Sequence, residues 1–156
     1  MKEEVSPIIQ IDNREQLPLV FKNLRSERAT LTTGDYSIRG LENEFACERK
    51  SISDLTQCCT GDNRARFKRE LLRLRGYDFV RLVVVGTVED IREHRYRSEI
   101  SPQSVLGTLA AIEARGVPVC FSPTPESAAL LIENWAVYFL RERVKNLREI
   151  LEKNIA

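Results

Sequence analysis

The run Glu48-Arg49-Lys50 sets an acid and a base two residues apart. On an extended strand, side chains two residues apart leave the same face, so Glu48 and Lys50 would stand side by side with Arg49 turned to the opposite face. Two further carboxylates are placed to join them. Asp35 follows a glycine at the start of the preceding strand, and Asp12 closes an apolar run. Carboxylates and a lysine gathered at one sheet edge suit phosphodiester hydrolysis. Hard divalent cations prefer oxygen ligands, and Mg²⁺ keeps several of its waters, so few protein ligands are needed. Asp35 and Glu48 are candidate side-chain ligands, and the backbone carbonyl of Arg49 is a candidate third. A cation held there would polarise a phosphoryl oxygen and make bound water more acidic. Lys50 would orient that water or stabilise the developing charge. A Glu-x-Lys pair on its own is more often a salt-bridged strand end, so the weight falls on what surrounds it.

The elements that must position these residues follow from the apolar patterning. The apolar run 8–12 predicts a buried strand, 17–24 has helical apolar spacing, and 29–33 reads as extended. Segments 36–39 and 44–50 predict two strands joined by a hairpin loop over 40–43. Ser51 suits the N-cap of a short helix over 51–59, which Gly61-Asp62-Asn63 should break. The charged stretch 64–75 predicts an amphipathic helix with Phe67, Leu71, Leu72 and Leu74 on its apolar side, ended by Gly76. The β-branched run 79–85 predicts a central strand, and 88–93 a short helix. Ser101-Pro102 and Thr124-Pro125 each pair an N-cap residue with a first-turn proline. They open helices reaching 115 and about 153, with a buried strand over 117–121 between them. Strands alternating with helices predict an α/β layered domain. Hairpin strands in front and helical crossovers behind predict a mixed sheet.

At 156 residues the chain suits one domain; a chain of that size buries roughly 68–70% of its unfolded surface. Lys plus Arg is 24 against 23 for Asp plus Glu, so net charge gives no sign of an anionic partner. A nucleic-acid reading must rest on local patterning. Such a pattern exists over 62–75, where Asp62 and Glu70 face six cations. Arg64, Arg66, Lys68, Arg69 and Arg73 are candidate phosphate contacts; their stems would equally serve to cover the core. Arg92, Arg95 and Arg97 are offset by Glu89, Asp90, Glu93 and Glu99, and His94 reads as a surface residue. Cys47, Cys58, Cys59 and Cys120 form no C-x-x-C pair, and one histidine is too few for a structural zinc site. The cysteine usage suits a reducing, cytoplasmic setting. The charged start Met1-Lys2-Glu3-Glu4 carries no apolar core of a signal peptide, and no run approaches the ~18 apolar residues of a membrane span. The last helix carries a stripe of Leu130, Leu131, Ala136, Val137, Leu140, Val144, Leu147 and Leu151, broad enough both to pack on the domain and to dimerise.

Taken together, Asp12-Asn13-Arg14-Glu15, Gly34-Asp35-Tyr36 and Glu48-Arg49-Lys50-Ser51-Ile52-Ser53-Asp54 resemble the XPF family of structure-specific DNA endonucleases. That family's pattern is an acid-x-Arg-Glu run, a Gly-Asp-Tyr turn, and Glu-Arg-Lys with an Asp four residues after the Lys. The likeness spans about residues 8–121. It implies a restriction-endonuclease-like fold with a mixed central sheet flanked by helices, and Mg²⁺- or Mn²⁺-dependent cleavage of branched, flapped or otherwise structured DNA in repair or recombination. It assigns metal ligation to Asp35 and Glu48 and water positioning to Lys50. Asp12, Arg14, Arg49 and Asp54 become supporting site residues. Glu15 is either a carboxylate behind the site or the first acid of a following helix. DNA and a second copy or partner nuclease subunit are the implied partners, in a nucleoid-associated cytoplasmic setting or, in a eukaryote, the nucleus. Neither the tandem helix-hairpin-helix module that many members carry nor a preceding helicase domain is visible, so a single nuclease domain over 1–156 is expected. Two alternatives share the fold: a catalytically silent DNA-binding scaffold subunit, and a restriction-type nuclease of a mobile element. Silent partners tend to lose the acidic residues, and this chain keeps all of them.

Overall fold

The computed structural model describes residues 4–155; the charged start Met1-Lys2-Glu3, read above as lacking a signal peptide, lies outside the described residues. Six strands form one sheet: β1 (Ile9–Asp12), β2 (Ser26–Ala29), β3 (Tyr36–Ile38), β4 (Phe45–Ser51), β5 (Phe79–Val85) and β6 (Val119–Ser122). Their order is β2-β1-β3-β4-β5-β6. β3 is antiparallel to both β1 and β4, while β1–β2, β4–β5 and β5–β6 are parallel. The sheet is therefore mixed. This topology brings the ends of β1 and β4 and the beginning of β3 to one edge, which is where Asp12, Glu48–Lys50 and Asp35 lie.

The helices are α1 (Ile52–Cys58), α2 (Gly61–Leu74), α3 (Val88–Arg92), α4 (Pro102–Ala114) and α5 (Pro125–Asn154). Ser51, Ser101 and Thr124 accept the amide hydrogen bonds expected of N-caps, and Thr87 and Thr124 close capping boxes. Strand alternation divides the core in two. Ala46, Leu82 and Val84 pack with Leu55, Phe67, Ile91 and Val105 from α1–α4. Phe45, Cys47, Val83 and Tyr36 pack on the other face with Ala128, Ile132 and Ala136 of α5. Buried side chains of α5 all fall in its first half, whereas Leu147, Ile150 and Leu151 are at least half exposed. The apolar stripe thus packs on the sheet over one half of the helix and projects from the domain over the other. Among the described residues no helix is long and apolar enough to cross a membrane, and all four cysteines are free thiols.

Three expectations change. Segment 17–24 is an irregular loop rather than a helix. Pro18 lacks an amide hydrogen and disfavours helical geometry at the preceding residue, and the loop finds its partners in the sheet and α5 instead. Leu19 donates its amide to Tyr36 Oη at 2.8 Å, and Asn23 donates its amide to Glu133 at 2.9 Å. The extended segment expected at 29–33 lies at Ser26–Ala29, on the sheet edge. Gly61-Asp62-Asn63 forms the first turn of α2 rather than a break before it.

Candidate active site

The glycine before Asp35 fixes how the first carboxylate enters the site. Gly34 adopts φ +79°, and a Cβ there would lie 3.3 Å from both Ala46 Cβ and the Cys47 carbonyl. The backbone of 34–35 therefore lies directly against β4. Asp35 donates its amide to the Cys47 carbonyl at 2.8 Å, and its Oδ2 accepts the Arg49 amide at 2.8 Å. Tyr36 pairs with Cys47, so Asp35 lies across from Glu48 and on the same sheet face. Lys50 Nζ approaches Glu48 Oε1 at 3.7 Å and lies 5.5 Å from the Phe67 ring centroid. The structure thus brings Asp35, Glu48 and Lys50 together.

Electrostatically these two carboxyls are uncomfortable alone. Burial pushes the Asp35 carboxyl up to about 6, with the Arg49 amide opposing and Glu15 adding to the rise. Burial first, and the Asp35 charge next, raise Glu48 well above the usual carboxylate range. Asp12 differs. Burial would raise it too, but hydrogen bonds from Arg14 Nε at 2.6 Å and the Leu31 amide at 3.0 Å hold it below its usual value. Asp12 is already satisfied by protein donors. Among the described residues nothing donates to Asp35 Oδ1, and Glu48 has only the ion pair with Lys50. Paired carboxylates that repel one another and keep oxygens without protein donors suit a hard divalent cation. Among the described residues no three acids, cysteines or histidines converge closely enough to hold a metal by side chains alone. Asp35 and Glu48, with water and a backbone oxygen, are therefore the donors that would hold one.

Arg49 turns to the opposite face, as strand alternation requires. Its guanidinium donates to Glu15 Oε2 at 3.0 Å and to the Leu17 carbonyl at 2.7 Å. Tyr36 Oη also donates to Glu15, at 3.0 Å. With no helix following Glu15, its carboxylate sits behind the site as the partner of Arg49. Arg14 lies in the cleft of about 160 Å³ that Asp35, Glu48 and Glu15 also line. Asp54 lines an adjoining cleft of about 210 Å³ with Lys50, Cys58 and Arg66.

The basic helix α2 splits into two sides. At about 100° per residue, Arg66, Arg69 and Arg73 fall on one flank of the buried Phe67–Leu71–Leu74 ridge, and Arg64 and Lys68 on the other. Arg73 lines the Asp35–Glu48 cleft and Arg66 the Lys50–Asp54 cleft, whereas Lys68 lines a hollow against α4. Sequence reasoning missed two acids. Glu70 borders both clefts, and Glu133 is buried as the acceptor for Asn23. Glu70's helical offset from Phe67 and Leu71 was readable; Glu133's partner lies 110 residues away and was not.

The three motif blocks meet at one sheet edge, and the comparison with known families agrees. The ERCC4 domain family matches residues 11–134. The chain belongs to the ERCC4 domain family. Among solved structures it is similar to XPF from Aeropyrum pernix, with a TM-score of 0.70 and 25% identity over 92% of this chain and 69% of that one. It is also similar to XPF from Aeropyrum pernix in complex with DNA, with a TM-score of 0.68 and 23% identity over 87% of this chain and 66% of that one. No curated protein matches. The mixed six-stranded sheet flanked by helices is thus the restriction-endonuclease-like XPF nuclease fold.

Proposed function

We infer that this chain is a divalent-cation-dependent DNA endonuclease acting on branched, flapped or otherwise structured DNA. The observation that carries this reading is the position of Asp35 across from Glu48, with Lys50 Nζ 3.7 Å from Glu48 Oε1. Asp35 and Glu48 would hold Mg²⁺ or Mn²⁺, with the Arg49 carbonyl as a further donor. A cation bound there would polarise a phosphoryl oxygen and make water more acidic. Lys50 orients the attacking water and stabilises charge developing on the phosphate. The Arg49 amide fixes Asp35 through Oδ2, and the Arg49 guanidinium locks the strand to Glu15 and the 17–24 loop. Arg14 and Asp54 line the substrate clefts, and Asp12 braces the turn over 30–35 through Leu31. Arg66, Arg69 and Arg73 track phosphates, and Arg64 and Lys68 take a smaller share. The Aeropyrum pernix XPF structure with DNA supports a nucleic-acid partner. Family membership supports the nuclease fold, and the retention of Asp35 and Glu48 supports nuclease chemistry over mere scaffolding. Residues 1–156 serve as the nuclease domain, and the projecting half of α5 offers Leu147, Ile150 and Leu151 to a second copy or partner subunit.

Incubating the purified chain with flapped, forked, duplex and single-stranded DNA tests the reading. Cleavage that needs Mg²⁺ or Mn²⁺ and disappears in Asp35→Asn is expected. Binding without cleavage in either metal would move the chain to the scaffold reading.

A further inference from the structure

Leu17 is the most exposed large apolar side chain among the described residues, at 81%, and Val20 is 73% exposed. The loop that carries them is nonetheless pinned. Leu19, between them, is 3% exposed and donates its amide to Tyr36 Oη at 2.8 Å. The Leu17 carbonyl accepts from Arg49 at 2.7 Å. Asn23 donates to Glu133 through its amide at 2.9 Å and its side chain at 3.3 Å. Two apolar side chains are thus held out in water by a loop tied down at three points. A contact made by such a preorganised loop loses little conformational entropy.

Their location ties them to the cleft. Leu17, Pro18, Val20, Lys22, Arg49 and Pro125 border an open hollow of about 460 Å³. Arg49 forms part of its wall, and the ion-pair partner of Arg49, Glu15, lines the Asp35–Glu48 cleft. The hollow and the cleft therefore meet at one ion pair, on either face of the end of β4. The Leu17–Val20 surface and the Asp35–Glu48 cleft thus lie on either side of the Arg49–Glu15 ion pair, and a DNA strand that bends around the end of β4 would touch both. The chemistry fits a nucleobase. Its faces are apolar enough to pack on leucine and valine, and the hollow's charged lining is two cations, Lys22 and Arg49, against one acid, Glu126. Proteins that kink duplexes insert apolar side chains of this kind between base steps.

We propose that Leu17 and Val20 form an apolar wedge that packs against an unstacked base at a junction or end of the DNA held in the Asp35–Glu48 cleft. This rests on the nuclease reading above and adds how the substrate's shape is sensed. Unstacking costs least where a base is already unpaired, so the wedge favours branched over continuous duplex DNA.

The test uses forked DNA with 2-aminopurine at the branch, bound by the full chain without metal so that nothing is cut. Fluorescence should rise severalfold with the wild-type chain as the base unstacks, and should stay near the free-DNA level with Leu17→Ser/Val20→Ser. With Mg²⁺ or Mn²⁺ the double variant should cut forked DNA about 10-fold more slowly and single-stranded DNA at the wild-type rate. Leu17→Phe, a larger wedge, should keep both the signal and fork cleavage, which separates loss of the wedge from misfolding. Equal fluorescence and equal fork cleavage in the double variant would overturn the wedge alone. The same result follows if the double variant changes only the solution mass, since the patch would then serve a second copy. A wild-type chain that neither binds nor cuts any of these DNAs overturns the nuclease reading and the wedge with it.

Discussion

The two faces of β4 carry opposite electrostatic characters. On one face Glu48 and Lys50 sit with Asp35 in a cleft where burial raises both carboxyls and the Asp35 charge raises Glu48 further. On the other, Arg49 is satisfied by Glu15 and the Leu17 carbonyl, and Glu15 also accepts from Tyr36. One face is short of positive charge and the other is balanced. A single three-residue run builds both because adjacent strand residues point to opposite faces. The lesson is a division of labour: the unbalanced face is suited to bind and react, while the balanced face holds the strand and the neighbouring loop in place. Such unbalanced clusters are common where function demands them.

Substitutions on the two faces press on that contrast. Lys50→Ala removes the only cation paired with Glu48 among the described residues and should cut the cleavage rate by roughly 10²–10³-fold, measured in single-turnover assays, while the chain still binds DNA. A smaller loss is expected from Arg49→Ala, about 10–100-fold, accompanied by a fall in melting temperature because the loop loses its anchor. Arg49→Lys should recover only part of this, since an ammonium cannot make the two-pronged contact; recovery of full activity would show that only charge matters on that face.

The third test concerns stability. Asp35 has a folded-state value pushed up to about 6, above its ordinary 3.8. The unfolded chain therefore releases this proton first as pH rises. The stabilisation is full below the unfolded value and is lost as pH climbs through about 6. Metal-free wild-type protein should lose stability over that interval, and Asp35→Asn should lose less, keeping only the part that the buried Glu48 carboxyl contributes. At pH 7 the metal-free variant should melt higher than wild type, by on the order of 1–3 kcal/mol in stability. Thermal melts across pH check this, and identical pH profiles would remove the strained-carboxyl account. The smallest effect compares the two sides of α2. Arg73→Ala should lower the salt slope of DNA binding by about one, and Lys68→Ala should leave it nearly unchanged.

Much of this was legible because the chemistry is local to short strands. Alternation along 44–50 placed Glu48 with Lys50 and turned Arg49 away, and the Ser51, Ser101 and Thr124 caps marked three helix starts. The mixed sheet followed from a hairpin in front and helical crossovers behind. What escaped depended on contacts across the chain. The helical spacing of 17–24 is real, yet Pro18, the Tyr36 hydroxyl and the buried Glu133 together hold it as a loop. Local periodicity carries no information about an acceptor on α5. The six cations over 62–75 likewise read as one surface, because the sequence does not say which flank of the helix α4 covers. The sequence set Asp12 beside the site as a supporting residue, but not what it supports; the donors around it, Arg14 and the Leu31 amide, give that.

The central claim is that Asp35 and Glu48 form a cation-binding pair that cleaves DNA with Lys50. Its most direct test is cleavage of forked DNA by the wild-type chain and by Glu48→Gln, each titrated with Mg²⁺ or Mn²⁺ after chelation. The account predicts metal-dependent cutting by the wild type, and none by Glu48→Gln at any metal concentration despite retained folding and DNA binding. Wild-type rates in the Glu48→Gln variant, or undiminished cutting by the chelated wild type, would contradict it.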